Sequence, residues 1–229
     1  MNLPINPEVA RFLRENMPNI RRGRGEILYR NFVDRFPMFS TSYLTDELLH
    51  ALTTDDVISL FNHTIPECAF KFTEIENVFV PDKIQEIGSF AFSDCTNLKS
   101  ISLPSALKFG AGICRECENL VSAEIRTGPN ATGHRMFSGC TRLRTVQVDC
   151  AVISENAFNG NSYLTDFIIG PNVKILEDAL FRSCIRLSQI TYLGTKAEWD
   201  NIDKSKDWNR YSGIYRLVCS DGEFDIKIK

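Results

Sequence analysis

Histidine is scarce in this chain: its 229 residues hold only His50, His63 and His134. No two of them stand at a ligand spacing such as H-x-x-x-H, so a histidine-built metal site has no support. No apolar run approaches the roughly 18 residues that a spanning helix needs, and no membrane span is expected. No glycine-rich loop ends in Lys-Ser or Lys-Thr to cradle a phosphate. The carboxylates are scattered rather than paired, which leaves general acid–base chemistry without its usual partners. A formal net charge of −3 offers no basic field to draw in nucleic acid. These absences predict no catalytic residue, no metal, no cofactor and no small-molecule substrate. The first residues, MNLPINPEVARFLREN, place charges where a signal peptide has its apolar core. The expectation is a chain made in the cytoplasm and not exported by that route; association with a virus particle needs no leader.

What the sequence does have is repetition. IGSFAFSDCTNLKSISLP is followed by GAGICRECENLVSAEI, GHRMFSGCTRLRTVQV, SENAFNGNSYLTDFIIGP and LEDALFRSCIRLSQITYL. The landmarks Phe92, Cys114, Phe137, Phe158 and Phe181 recur at about 22 residues. A unit that short cannot bury its apolar face alone and must stack on its neighbours. The apolar residues fall in columns: Leu98, Leu120, Leu143, Leu164, Leu187; then Ile101, Ala123, Val146, Phe167, Ile190; then Leu103, Ile125, Val148, Ile169, Tyr192. Steps of three and then two residues fit an L-x-x-L-x-L unit whose last positions form a strand with one buried face. A degenerate first copy runs from Ala69 to Pro81, with Phe72, Ile75, Val78 and Val80 expected in the same columns and one residue missing. Six rungs therefore stack. The phenylalanine in each turn is expected to fill the core opposite the strand, at about 2–3 kcal/mol per buried ring.

The run Ile84 to Pro104, I-x-x-I-G-x-x-A-F-x-x-C-x-x-L-x-x-I-x-L-P, resembles the BspA-like (treponema-type) leucine-rich repeats. The tail Tyr192 to Gly222 resembles the end often found after such arrays, so the resemblance covers about Ile65 to Gly222. Three departures stand out: Cys114 replaces a phenylalanine, Asn161 replaces a cysteine, and Thr132-Gly133-His134 is irregular. The resemblance implies surface-displayed binding and adhesion proteins of bacteria and some protists, or phage-encoded proteins, and no enzymatic activity.

Cys95, Cys117, Cys140 and Cys184 share one column. Ladder neighbours at ~4.8 Å point in parallel, which disfavours disulfides and suits buried free thiols. Cys114-x-x-Cys117 is a lone pair without the second pair that zinc requires. His134 lies near Cys140 in sequence, but a thiol in the buried column is a poor nucleophile candidate.

Both ends lack the repeat, and three segments are expected: 1–62 as a helical cap or attachment domain, 63–193 as the solenoid, 194–229 as a capping module. Asn6-Pro7-Glu8 signals a helix start, Glu26 to Phe36 reads as a second helix, and Thr45 and Thr54 each open a short capped one. Arg21-Arg22-Gly23-Arg24 reads as a solvated loop diluted by Glu15 and Glu26. Ala197-Glu198-Trp199 begins a helical turn, and Tyr215 to Cys219 with Phe224 to Ile228 reads as a hairpin about Asp221-Gly222. The fold class is thus α+β: a leucine-rich-repeat solenoid of about six rungs, one strand each, with a helical N-terminal segment and a C-terminal hairpin cap.

Between the second and third columns the strands turn Phe79, Ser102, Glu124, Gln147, Ile168 and Thr191 outward; one step earlier come Asn77, Ser100, Ser122, Thr145, Asp166 and Gln189. This polar, weakly charged face is the candidate partner-binding surface. Phe79 and Ile168 stand on it either as anchors or as residues covered by flanking segments. The expected function is non-catalytic protein–protein interaction. Two uses compete: a structural or decorating component of a larger assembly such as a phage particle, or an adhesin recognising a host or cell surface through the strand face.

Overall fold

A computed structural model of the chain describes residues 63–225 apart from 66, 74 and 105–107. The expected N-terminal helices, the Arg21-Arg22-Gly23-Arg24 cluster and His50 lie outside the described residues. The elements are β1 (Thr64–Ile65), β2 (Asn77–Phe79), β3 (Glu86–Ile87), β4 (Ser100–Leu103), β5 (Lys108–Phe109), β6 (Ser122–Ala131), β7 (Thr145–Ile153), β8 (Asp166–Ile169), β9 (Ile175–Leu176), β10 (Gln189–Tyr192), helix α1 (Lys196–Asp200), β11 (Asp203–Lys204), β12 (Arg216–Cys219) and β13 (Gly222–Asp225).

The main sheet runs β2–β4–β6–β7–β8–β10–β12, all parallel, and ends in the antiparallel β13. Its register is the one the columns predict. Val78, Ile101, Ala123, Val146, Phe167, Ile190 and Leu217 are successive partners, as are Leu103, Ile125, Val148, Ile169 and Tyr192 one pleat further. All are buried. Shorter parallel ladders, β1–β3–β5 and β7–β9–β11, form where the chain turns back after each main strand. Around the irregular Thr132-Gly133-His134, β6 and β7 run on for 10 and 9 residues, with register shifts about Gly128.

Opposite the sheet, the turn aromatics stack. Phe70 lies on Phe92 at 4.9 Å between centroids, and Phe137 on Phe158 at 5.5 Å; Cys114, fully buried, takes the place between these pairs. Two residues before and two after this column the backbone is left-handed in every rung, for example at Asn156 (φ 56) and Gly160 (φ 82) around Phe158. These paired kinks turn the chain tightly enough for 22 residues to close a rung.

The first rung needs a correction. Phe70, not Phe72, stacks on Phe92, and Thr73 sits 3.4 Å from Cys95 Sγ in the cysteine column. Phe72 is left-handed and 42% exposed. The missing residue lies after Thr73, between the cysteine column and the strand, so the aromatic of this rung stands two residues before Phe72.

The cysteine column is more than apolar filling. Cys95, Cys117, Cys140 and Cys184 Sγ each donate to the carbonyl of Phe70, Phe92, Cys114 and Phe158 in the preceding rung, at 3.0–3.1 Å. A thiol is small enough for the core and still gives a turn carbonyl of the preceding rung a donor. Burial pushes the Cys184 thiol up to about 12. Asn161 takes the same place in rung five, fully buried, and neither its Oδ1 nor its Nδ2 has a partner among the described residues.

The C-terminal cap closes the array. Thr195 caps α1 by accepting from Glu198 N–H, while Glu198 Oε2 accepts from Thr195 N–H at 2.8 Å. The N–H of Thr195 and its hydroxyl, which donates to the same Oε2 at 2.9 Å, hold the Glu198 carboxylate below its ordinary range. Lys204 donates to the carbonyls of Trp199 and Ile202 and lies over the Trp199 ring. Trp208 meets Phe181 edge-on at 6.1 Å and Trp199 at 5.9 Å, continuing the aromatic column past the last repeat.

Candidate functional site

The pleat decides what the main sheet shows to solvent. Asn77, Ser100, Ser122, Thr145, Asp166 and Gln189 form one outward row, and Phe79, Ser102, Glu124, Gln147, Ile168 and Thr191 the next. The six candidate residues are thus brought into a single line, one per rung, about 4.8 Å apart. The two rows from β2 to β7, with Ile168 of β8, line a shallow concavity of ≈ 510 Å³; Asp166, Gln189 and Thr191 lie outside it.

The two ends of the face are built differently. At the β2 end, Phe79 is 58% exposed, with the Arg126 guanidinium 4.4 Å from its ring centroid. Arg126 reaches back across two rungs. It donates to Ser102 Oγ at 2.7 Å, to Val80 O at 2.5 Å and to Asp82 Oδ1 at 2.7 Å. Ser102 in turn donates to Glu124 Oε2 at 2.8 Å. Phe79, Ser102 and Glu124 are therefore held by one hydrogen-bonded unit. At the other end Ile168 is half-buried, and Gln189 donates to Thr191 at 2.9 Å.

Between these ends, the side chains of Ser122, Thr145 and Gln147 make no hydrogen bond within the described residues. They are donors and acceptors aimed at solvent. Glu124 and Asp166 are the ionisable residues of the two rows, so the floor is weakly acidic while Arg126 supplies a cation at the rim.

Arg126 and Asp82 were missed when the face was read from the columns. Arg126 stands one step past the third column, where the two preceding rungs have Pro81 and Pro104. A long cation replacing proline at a strand end was the available signal. Of the sequence neighbours His134 and Cys140, His134 is exposed while Cys140 is buried and donates to Cys114 O. Among the described residues no group of three His, Cys, Asp or Glu side chains could hold a metal ion, and no helix is long and apolar enough to cross a membrane.

Comparison with known proteins agrees with this geometry. The family described as BspA type Leucine rich repeat region matches residues 63–188 in six copies. A leucine rich cell surface protein of Faecalibacterium prausnitzii is similar in structure, with a TM-score of 0.53 at 23% identity over 59% of this chain and 37% of that one. The T. pallidum leucine rich repeat protein gives a TM-score of 0.51 at 25% identity over 57% of this chain and 66% of that one. The chain thus spans less than two thirds of the length of either. No curated protein matches the chain. Its six stacked copies, which fill more than half of its length, make this protein a member of the BspA-type leucine-rich-repeat family.

Proposed function

We propose that the protein is a non-catalytic recognition module that binds another protein through the concave strand face. The observation that carries this reading is the middle of that face. Ser122, Thr145 and Gln147 point outward without internal partners, between an exposed Phe79 and a half-buried Ile168. A permanently covered structural contact would be expected to be more apolar and drier. The polar, open character of the face therefore favours reversible recognition of a host or cell surface over a fixed decorating role in a particle. The resemblance to surface-displayed proteins points the same way. A role in phage assembly, with residues 1–62 as the anchor, is the second use, and the fold is equally compatible with it.

Site-specific photo-crosslinking in the native source tests the proposal. A crosslinker at Gln147 is expected to capture one defined protein, whereas the same group at exposed Asp178, on the opposite turn, captures none. Equal labelling at both positions, or capture at Asp178 alone, refutes the concave face as the contact.

A further inference from the structure

Large apolar side chains left exposed on this molecule are not evenly scattered. Ile214 is 88% exposed, Ile185 70%, Tyr211 61% and Tyr163 41%, and they belong to one continuous ridge. Tyr163 and Arg186 occupy the same turn position in successive rungs, and the Arg186 guanidinium stacks 4.0 Å from the Tyr163 ring centroid. The segment from Tyr211 to Ile214 lies directly on the next turn: Ser183 N–H donates to Tyr211 O at 3.0 Å and Gly213 N–H to Cys184 O at 2.9 Å. Arg182 then approaches the Tyr211 ring at 5.9 Å. None of these residues lines the concavity on the strand face.

The chemistry of the ridge is specific. Its cations are arginines, and Arg182 and Arg186 have no carboxylate partner among the described residues. With its face on the Tyr163 ring, the exposed Arg186 guanidinium makes no hydrogen bond among the described residues, so its paired edge N–H donors are available to grip a carboxylate in a bidentate manner. Tyrosine and arginine beside exposed isoleucine is also the composition of binding hot spots, in which lysine is under-represented.

We infer that this ridge is a second protein-binding surface and that its partner presents an acidic segment, with Asp or Glu side chains flanking an aliphatic one. The carboxylates pair with Arg182 and Arg186, and the aliphatic side chain covers Ile185 and Ile214. Such a site lets one solenoid hold two partners at once, since the ridge lies on the turns and the first face on the strands.

The test uses the full-length chain, immobilised and selected against a displayed library of random peptides. Enriched peptides are expected to carry acidic residues beside an aliphatic one. Their binding should fall at least about tenfold in the Arg182→Glu, Arg186→Glu double variant and in Ile214→Asp, and stay within about twofold in Phe79→Ala. Ile214 is so exposed that its substitution leaves folding intact, which an unchanged melting curve verifies. Peptides without acidic residues, binding lost in Phe79→Ala but kept in the arginine variant, or no enrichment at all each overturn the inference. Arginine-dependent sedimentation with phosphatidylserine-containing vesicles, but not with pure phosphatidylcholine, also overturns it and assigns the ridge to a lipid surface.

Discussion

Replacing Asn161 by cysteine should make the protein more stable. Asn161 is the one position among the cysteine-column residues of rungs two to six where a polar amide stands in place of a thiol, and it is fully buried with both polar atoms unpartnered among the described residues. A buried group without a hydrogen bond costs about 1–3 kcal/mol, and the amide brings two. Cysteine is close to asparagine in volume, so the exchange opens little cavity. By analogy with the other four, the new thiol would donate to the carbonyl of Phe137 in the preceding rung. Taking the lower end for each amide group, the gain is about 2 kcal/mol. For a chain of this size that corresponds to a rise of about 4–8 °C in Tm. Thermal unfolding followed by circular dichroism under reducing conditions measures it, with Asn161→Ala as a control that removes the amide without restoring a donor. Asn161→Cys should melt highest, above both Asn161→Ala and the parent. A variant that melts at or below the parent would falsify the idea that the amide is a standing cost.

Further outcomes follow from the same packing. Trp199→Ala, which empties the centre of the cap between Tyr192 and Trp208, should cost at least about 3 kcal/mol, read as a lower urea midpoint. Gly160→Ala places a Cβ on a backbone at φ +82, where its nearest contacts are an ordinary 3.5–3.7 Å; the cost is therefore conformational, about 1–2 kcal/mol, and Gly160→Asn should recover part of it. Burial pushes the thiols of Cys150 and Cys184 from 9.0 up to about 12. Their folded values exceed the unfolded ones, so the stability they contribute is complete below pH 9 and is lost as pH rises toward 12. At pH 10 the pair should cost about 2–3 kcal/mol relative to pH 7. A urea midpoint that is flat from pH 8 to pH 10 would contradict that burial.

The solenoid was legible because its determinants are local and repeated. Leu98, Ile101 and Leu103 recur at the same spacing in later units, and a period of two leaves only one way to place each strand with its apolar side inward. That is why the outward row from Phe79 to Thr191 could be named from spacing alone. Phe72 was misread because a one-residue deletion is invisible until Phe70 is seen to stack on Phe92.

Sequence alone thus determined the rung, its register and the row of side chains that faces solvent, because each depends on residues a few positions apart. Tertiary structure decided what those rows can do. Arg126 meets Phe79 and Asp82 across 44 or more positions of chain, and Tyr211 to Ile214 fold back onto the turn that carries Ile185 and Arg186. Such meetings depend on how rungs stack and where the cap settles. No local period encodes them, since each is made once, between residues whose separation carries no repeat.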